Sequence, residues 1–349
     1  MDSIKLLEQL TNAFGPAGFE DDVVNVAKTY LPEAQRDSLN NLYINLKEKS
    51  AKPVIMLDAH MDEVGFMSHY VKPNGTIGFI ELGRTQPAAV SAQKVNIRNN
   101  RGELVPGVIT SVPPHFMKKS DSTTIEPDQL SIDVGSSSKE ETENDFHIGI
   151  GCPIAPAVKF EYNKNKDLIW AKALDDRIGC GAVIELMSGL EENLNVDIVG
   201  VLSAQEEVGI RGARITPRKV KPDAAIVFEG TPADDTFAES YKIQTALKKG
   251  PMLRHIDSGM ITNPRFMKFA LGVGEKYNLK IQQAVRTGGS TNGAGIHTAC
   301  LGIPTIVIGI PVRYIHTFHT IAALEDYKNA IELAKCILKE LNENIIGEF

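Results

Sequence analysis

Four short apolar segments that each lead to acidic or imidazole side chains are the feature that most constrains how this sequence folds. The segments are 54–58, 197–203, 224–228 and 304–309, and such continuous apolar runs are typical of strands buried on both faces of a sheet. In open α/β sheets, ligand sites gather at the carboxyl ends of the strands. We therefore expect the polar side chains that follow these segments to meet at one edge of a sheet.

Helical segments alternate with these strands. Apolar spacing predicts helices over 4–14, 20–30, 175–190 and 323–341. Strands that alternate with helices in this way predict an α/β fold in which helices cover both faces of the sheet.

The segment from about 70 to 165 has a different pattern. Helical periodicity fades there, and Pro, Gly and Asn separate short β-rich runs at 78–80, 94–98, 105–109 and 157–162. We predict an inserted β-rich domain over 70–165, which divides the first domain into 1–69 and 166–349. The 349 residues fit this division, because about 150 residues are usual for one domain.

Composition excludes several classes of protein. Lys and Arg total 37 against 44 Asp and Glu, and this net charge of -7 argues against nucleic acid or an anionic membrane as a partner. The first ten residues lack the pattern of a signal peptide, and no apolar stretch is long enough to cross a membrane. The four cysteines form no Cys-x-x-Cys pair. We expect a cytoplasmic protein with reduced, mostly buried thiols.

The polar side chains after the strands are of the types found in catalytic metal sites. They are His60, Asp62, Glu206, Glu207, Glu229 and His316, and Asp175 follows the return from the insert. So many carboxylates in one place are unfavourable without a compensating cation. Imidazoles and carboxylates without thiolates suit Zn²⁺, Co²⁺ or Mn²⁺ in an open catalytic site. The ligands suffice for two ions sharing one carboxylate, and two ions about 3.5–4 Å apart can activate a shared water and polarise a carbonyl.

Local spacing suggests roles for three of these residues. Adjacent side chains on an extended chain point in opposite directions, so one of Glu206 and Glu207 can hold a metal while the other serves as general base. Asp62, two residues after His60, can orient the imidazole. Each residue taken singly is more simply a solvated charge or a hydrogen-bonded histidine, and only the joint pattern favours a site.

Six motifs occur along almost the whole chain. They are DAHMDEVG at 58–65, VPGVITSVPPH at 105–115, IDVG at 132–135, ALDDRIGC at 173–180, QEEVGIRGA at 205–213 and PVRYIH at 311–316. With these motifs in this order, the sequence resembles the M42 family of metallo-aminopeptidases, which includes glutamyl aminopeptidases and the tetrahedral TET peptidases.

The resemblance implies a zinc-peptidase-type mixed sheet that carries the site, and a small inserted domain that contributes to dimer contacts and larger assemblies. It implies that one metal is held by His60, Asp175 and Glu229, and the other by Asp175, Glu207 and His316. Glu206 would be the general base and Asp62 the partner of His60. Two divalent ions per subunit, Zn²⁺ or Co²⁺ before Mn²⁺, short peptide substrates and a homo-oligomer between dimer and dodecamer are also implied.

Two residues depart from the family pattern, and several questions stay open. The family usually has Asp in place of Glu229, and many members have Asp in place of Asn292, which removes a possible charge near the substrate. Arg254 and His255 are candidates for accepting an acidic substrate side chain, with a surface role as the alternative. We expect an aminopeptidase; the alternatives are a related two-metal deacylase or carboxypeptidase, or a non-catalytic scaffold that kept the fold.

Overall fold

A large mixed sheet and a small closed barrel form the framework. The computed structural model describes residues 1–47, 51–112, 114–116, 129–191 and 193–349. It confirms the predicted α/β class with a mixed sheet, and the small β-rich unit is a closed barrel of strands. Of the motif at 105–115, Pro113 lies outside the described residues.

The helices are α1 (Ser3–Asn12), α2 (Asp21–Tyr30), α3 (Pro87–Val90), α4 (Lys139–Asn144), α5 (Leu174–Ser188), α6 (Thr216–Val220), α7 (Pro264–Lys276), α8 (Asn292–His297), α9 (Leu324–Glu340) and α10 (Glu343–Gly347). Four of the helices, α1, α2, α5 and α9, lie close to the predicted segments 4–14, 20–30, 175–190 and 323–341. The Asp2 carboxylate accepts hydrogen bonds from the first backbone N–H groups of α1 and so fixes where that helix begins.

The strands, in chain order, are β1 (Gln35–Arg36), β2 (Leu42–Ile44), β3 (Val54–His60), β4 (Gly65–Val71), β5 (Ile77–Leu82), β6 (Lys94–Arg98), β7 (Leu104–Ile109), β8 (Ile132–Asp133), β9 (Pro153–Pro156), β10 (Glu161–Asn163), β11 (Leu168–Ala171), β12 (Asp197–Ser203), β13 (Ala224–Pro232), β14 (Met252–Ile256), β15 (Gln282–Val285), β16 (Thr305–Arg313) and β17 (Thr320–Ala323). The large sheet has the order β1-β2-β12-β3-β13-β16-β17-β11-β10, and β14 pairs with β15 and β16. Its centre, β12-β3-β13-β16, is parallel.

Both faces of the central strands are buried, as the continuous apolar runs predict. Along β13, Ala224, Ile226 and Phe228 belong to the core on one face of the sheet, and Ala225 and Val227 belong to the core on the other. The first core includes side chains of α1, α2, α5, α7 and α9, and the second includes α6 and α8. Helices therefore cover both faces, which is the arrangement that the sequence predicts.

The barrel closes in the order β4-β5-β8-β7-β6-β9. Its strands run from Gly65 to Pro156, so β4 begins before residue 70. The predicted run 157–162 ends in β10, which pairs with β11 in the large sheet rather than in the barrel. Hydrogen-bonded pairing, which the local pattern does not reveal, thus places the barrel strands a few residues earlier than the predicted insert of 70–165.

The helices and the cysteines bear on two further predictions. None of the helices among the described residues is both long and apolar enough to span a membrane. Cys152, Cys180 and Cys336 are buried free thiols and Cys300 is an exposed one, in line with the prediction that most of the cysteines are buried.

Candidate active site

The predicted site residues meet at the carboxyl end of the parallel strands. His60 is the last residue of β3, and Glu206 and Glu207 follow β12. Glu229 lies within β13, because this strand continues to Pro232 instead of ending at residue 228. Asp175 stands at the start of α5, and His316 lies in the loop between β16 and β17. Residues far apart in sequence are brought to one edge of the sheet.

The Asp175 carboxylate lies between two imidazoles. Its Oδ1 is 3.2 Å from Nε2 of His60, and its Oδ2 is 3.4 Å from Nε2 of His316. Nε2 of His316 is also 3.5 Å from Oε2 of Glu207. A carboxylate with one oxygen toward each imidazole has the geometry expected of a ligand shared by two cations.

The backbone at Asp175 is not helical. Asp175 and Asp176 have φ/ψ values outside the helical region and are joined by a cis peptide bond, so the prediction of a helix from residue 175 is wrong for these two residues. Gly230 lies directly against this segment, since a Cβ there would be 2.9 Å from the Asp175 Cα. The close approach requires a residue without a side chain at position 230.

Asp176 is a buried carboxylate for which the sequence predicted no role. Its Oδ1 accepts hydrogen bonds from the N–H groups of Gly179 and Gly230, at 3.0 and 2.9 Å. Its Oδ2 accepts from the N–H of His60 at 3.1 Å. Asp176 thus connects β3, β13 and α5 at the site. The only sequence signal for this role is its position next to Asp175 in the motif at 173–180.

Asp62, two residues after His60, sets the orientation of the His60 imidazole. Nδ1 donates to the backbone carbonyl of Asp62 at 3.1 Å and lies 3.5 Å from Oδ1 of the same residue. Since acceptors face Nδ1, this nitrogen keeps its proton, and Nε2, which faces Asp175 at the centre of the site, is the nitrogen that would ligate a cation.

The Asp62 carboxylate also holds the Glu206–Glu207 backbone. Its two oxygens accept from the N–H groups of Glu206 and Glu207 at 2.8 and 3.0 Å. The pair lies in a turn closed by hydrogen bonds to the Glu206 carbonyl, not on an extended strand. The side chains nevertheless diverge, with Glu207 beside His316 and Oε2 of Glu206 4.0 Å from Nε2 of His60.

Burial and crowding shift the ionisation of the site. Burial raises the pKa of Glu206 to about 7, and it raises the pKa of Glu207 and of Glu229 well above the usual range. Burial lowers the pKa of His316, but Asp175 and Glu207 outweigh it and raise that pKa to about 9. Protonated imidazoles are thus the counter-charges that the chain itself supplies, and bound divalent cations would take over this role.

The donor set fits cations. Among the described residues, Oε1 of Glu207 and Oε2 of Glu229 are buried without a hydrogen-bond partner. Ligand atoms of His60, Asp175 and Glu207 lie within 4.8 Å of one another, and so do those of His60, Asp176 and Glu229. Unpaired carboxylate oxygens that converge with imidazole nitrogens are what a divalent cation site requires.

A cavity of about 610 Å³ opens beside these residues. Its lining includes Asp175, Glu206, Glu207, Glu229, His316, Arg84, Phe237, Arg254, Arg286 and Tyr314. Arg254 is buried and paired with Asp257 at 3.0 Å, so it belongs to the cavity wall and not to the surface. Nε2 of His255 instead lies 2.9 Å from Oε1 of Gln283, and His255 lines a different cavity.

Comparison with known proteins identifies the family. The family described as M42 glutamyl aminopeptidase matches residues 40–333, which is most of the chain. The chain belongs to the M42 peptidase family. As a member it is a peptidase, a hydrolase of peptide bonds, and the predicted enzyme class and resemblance are confirmed.

Relatives match this M42 peptidase over nearly its full length. The glutamyl aminopeptidase of Lactococcus lactis is 31% identical over 100% of this chain and 99% of its own. The lysyl aminopeptidase of Pyrococcus furiosus is 33% identical over 97% of each chain. The crystal structure of a TET aminopeptidase from a marine sediment Thaumarchaeota archaeon superposes with a TM-score of 0.94 at 32% identity, covering 100% of this chain and 99% of that one.

Asn292 of this M42 peptidase does not line the cavity, contrary to the expectation that position 292 lies near the substrate. It is buried at the start of α8, and its Nδ2 donates to Oδ1 of Asp58 at 2.6 Å and to the Ser203 hydroxyl at 2.7 Å. These contacts connect the start of α8 to β3 and to the end of β12. Asn292 therefore contributes to packing behind the site.

Proposed function

We propose that this M42 peptidase is a two-metal aminopeptidase that removes the N-terminal residue from short peptides. The observation that carries the proposal is the position of the Asp175 carboxylate between the imidazoles of His60 and His316, with Glu206 beside them.

Two groups of residues would hold the cations, Zn²⁺ or Co²⁺ before Mn²⁺. We assign His60, Asp175 and Glu229 to one, and Asp175, Glu207 and His316 to the other. Asp175 is preferred to Asp176 as the shared ligand because the Asp176 oxygens already accept three backbone N–H groups. When bound, the ions would polarise the scissile carbonyl and lower the pKa of the attacking water. Glu229 is one methylene longer than the Asp that the family usually has at this position. The group of His60, Asp175 and Glu229 should therefore hold its cation in a different geometry from that in other members.

Glu206 is the proposed general base. Its carboxylate lines the cavity, and its Oε2 lies 4.0 Å from Nε2 of His60. The raised pKa of about 7 suits a group that takes a proton from water at neutral pH and then releases it. Glu206 Oε would accept the proton of the attacking water and pass it to the leaving amine.

The acidity of the cavity favours substrates with a free amine. Asp175, Glu206, Glu207 and Glu229 all line it, and a peptide's free amine would bind near one cation and the carboxylates around it. An N-acylated substrate has no free amine. An aminopeptidase is therefore preferred to a deacylase.

A panel of chromogenic substrates tests this proposal after loading with Zn²⁺, Co²⁺ or Mn²⁺. We expect hydrolysis of aminoacyl substrates and at least about 100-fold lower kcat/KM for the same substrates with an acetylated amine, since losing a buried charge pair costs about 3 kcal/mol. Preference for acylated amines would instead indicate a deacylase, and cleavage from the carboxyl end a carboxypeptidase. No hydrolysis together with no bound metal would indicate a scaffold.

A homo-oligomer is the proposed assembly, as in TET peptidases. Ile80, Leu104 and Val108 on the outside of the barrel strands are 47–48% exposed, and apolar side chains of this size suit a protein interface. Light scattering coupled to gel filtration should give a molar mass of at least two chains of 38.1 kDa. A single-chain mass at micromolar concentration would contradict the proposal. A cytoplasmic location stays a prediction from the sequence.

A further inference from the structure

The loop that carries His316 is anchored in the barrel. Residues 314–319 connect β16 to β17 in the large sheet, yet Phe318 lies in the hydrophobic core of the barrel and is 2% exposed. Its ring centroid is 6.3 Å from that of Phe66 on β4, and Phe66 packs edge-on against Phe79 on β5 at 4.8 Å. A residue two positions after His316 therefore belongs to the core of the other unit.

The loop needs such an anchor. Tyr314 and His316 have φ values of 62° and 63°, in the left-handed region that is unfavourable for residues other than glycine. The His316 side chain is 37% exposed, whereas that of His60 is 1% exposed. The His316 imidazole is thus less enclosed than that of His60, so its position depends more on how the loop is fixed.

The barrel also lies against Glu207, the other residue beside His316. Gly83 follows β5 with φ of 90°, and a Cβ there would be 3.1 Å from the Glu207 Cβ and 2.9 Å from Cγ1 of Val64. Only glycine allows the barrel backbone to approach Glu207 this closely.

The rest of the site is fixed differently. His60 and Glu229 lie in β3 and β13 of the large sheet, and Asp176 connects both strands through backbone N–H groups of His60 and Gly230. The barrel thus contacts the loop that carries His316 and the side chain of Glu207, whereas the parallel strands support His60 and Glu229.

We propose that Phe318 and Gly83 are positioning residues through which the barrel sets the second cation group, made of Asp175, Glu207 and His316. The inference rests on the proposed two-cation centre. Perturbing either barrel contact should lower the binding affinity for one of the two cations and leave the other cation tightly bound.

Equilibrium dialysis against Co²⁺ with elemental analysis measures this directly on the full chain. Phe318→Ala and Gly83→Ala should each retain one tight ion and bind the second at least about tenfold more weakly, as is typical when a residue that supports a ligand is removed. Phe318→Leu, which still fills part of the barrel core, should bind the second ion with intermediate affinity.

Two matched controls separate positioning from general damage. Ile97→Ala removes a buried side chain of the same barrel core on β6. Gly102→Ala places a Cβ at a similar φ of 82°, where no described heavy atom lies within 4 Å. Both controls should bind two ions as the unmodified protein does.

The outcomes are distinct. Unchanged affinity for the second ion in Phe318→Ala and Gly83→Ala would overturn the inference. An equal loss of affinity for the second ion in Ile97→Ala would also overturn it. If Phe318→Ala does not fold, Phe318→Leu and Gly83→Ala decide in the same way. Fewer than two ions in the unmodified protein would instead refute the two-cation centre itself.

Discussion

Replacing Glu206 with Gln should abolish almost all turnover while leaving the bound metal in place. The amide keeps the size of the side chain, and the Glu206 N–H still donates to Asp62. What it loses is the ability to accept a proton from water, a contribution of about 10²–10⁴-fold in rate. We expect kcat to fall by at least about 100-fold with little change in KM, because general-base catalysis acts only on the way to the transition state.

Steady-state kinetics and elemental analysis on the same preparation test this. Glu239→Gln is the matched control, since Glu239 is exposed and paired with Lys242 away from the cavity lining. It should behave like the unmodified enzyme. Turnover of Glu206→Gln close to the unmodified rate would remove Glu206 from the mechanism, and loss of metal would make it a ligand instead of a base.

Replacing Asp175 with Asn should release both cations. The amide is nearly the same shape, but its nitrogen cannot ligate a cation and its oxygen carries no charge. Because Asp175 faces His60 with one oxygen and His316 with the other, both of the proposed cation groups would lose a ligand. We expect metal content below one ion per chain after dialysis, and hydrolysis lost together with the metal.

His316→Ala should lose less metal than Asp175→Asn and is therefore the variant to compare with it. It removes a ligand from only one of the two groups, so metal content should fall toward one ion per chain. If Asp175→Asn also retained one ion, the shared role would belong to another carboxylate, with Asp176 the next candidate. Unchanged metal content in His316→Ala would refute its assignment as a ligand.

Much of this arrangement could be predicted from local sequence. The runs 54–58 and 197–203 are apolar on both faces, and parallel strands bring their carboxyl ends together, so His60 and Glu206 had to lie at one edge. The helices over 20–30 and 323–341 agree with α2 and α9 within a residue, since amphipathic periodicity is a local property.

Other features depend on contacts between distant residues. The non-helical backbone at Asp175 is held by packing against Gly230, and the location of Asn292 depends on Asp58 and Ser203. The segment around Phe318 resembles an ordinary loop in the sequence, because its partner Phe66 lies in another unit of the fold. Local patterns cannot show which strands or cores such residues join.

The order in which the site residues appear along the chain has a consequence for biosynthesis. His60 emerges early, whereas His316 and the loop that bears it follow 256 residues later. At a translation rate of about 5–20 residues per second, well over ten seconds separate the two. A nascent chain that has not reached His316 therefore lacks part of the proposed centre, and we expect peptidase activity only after the loop that bears His316 has been synthesised.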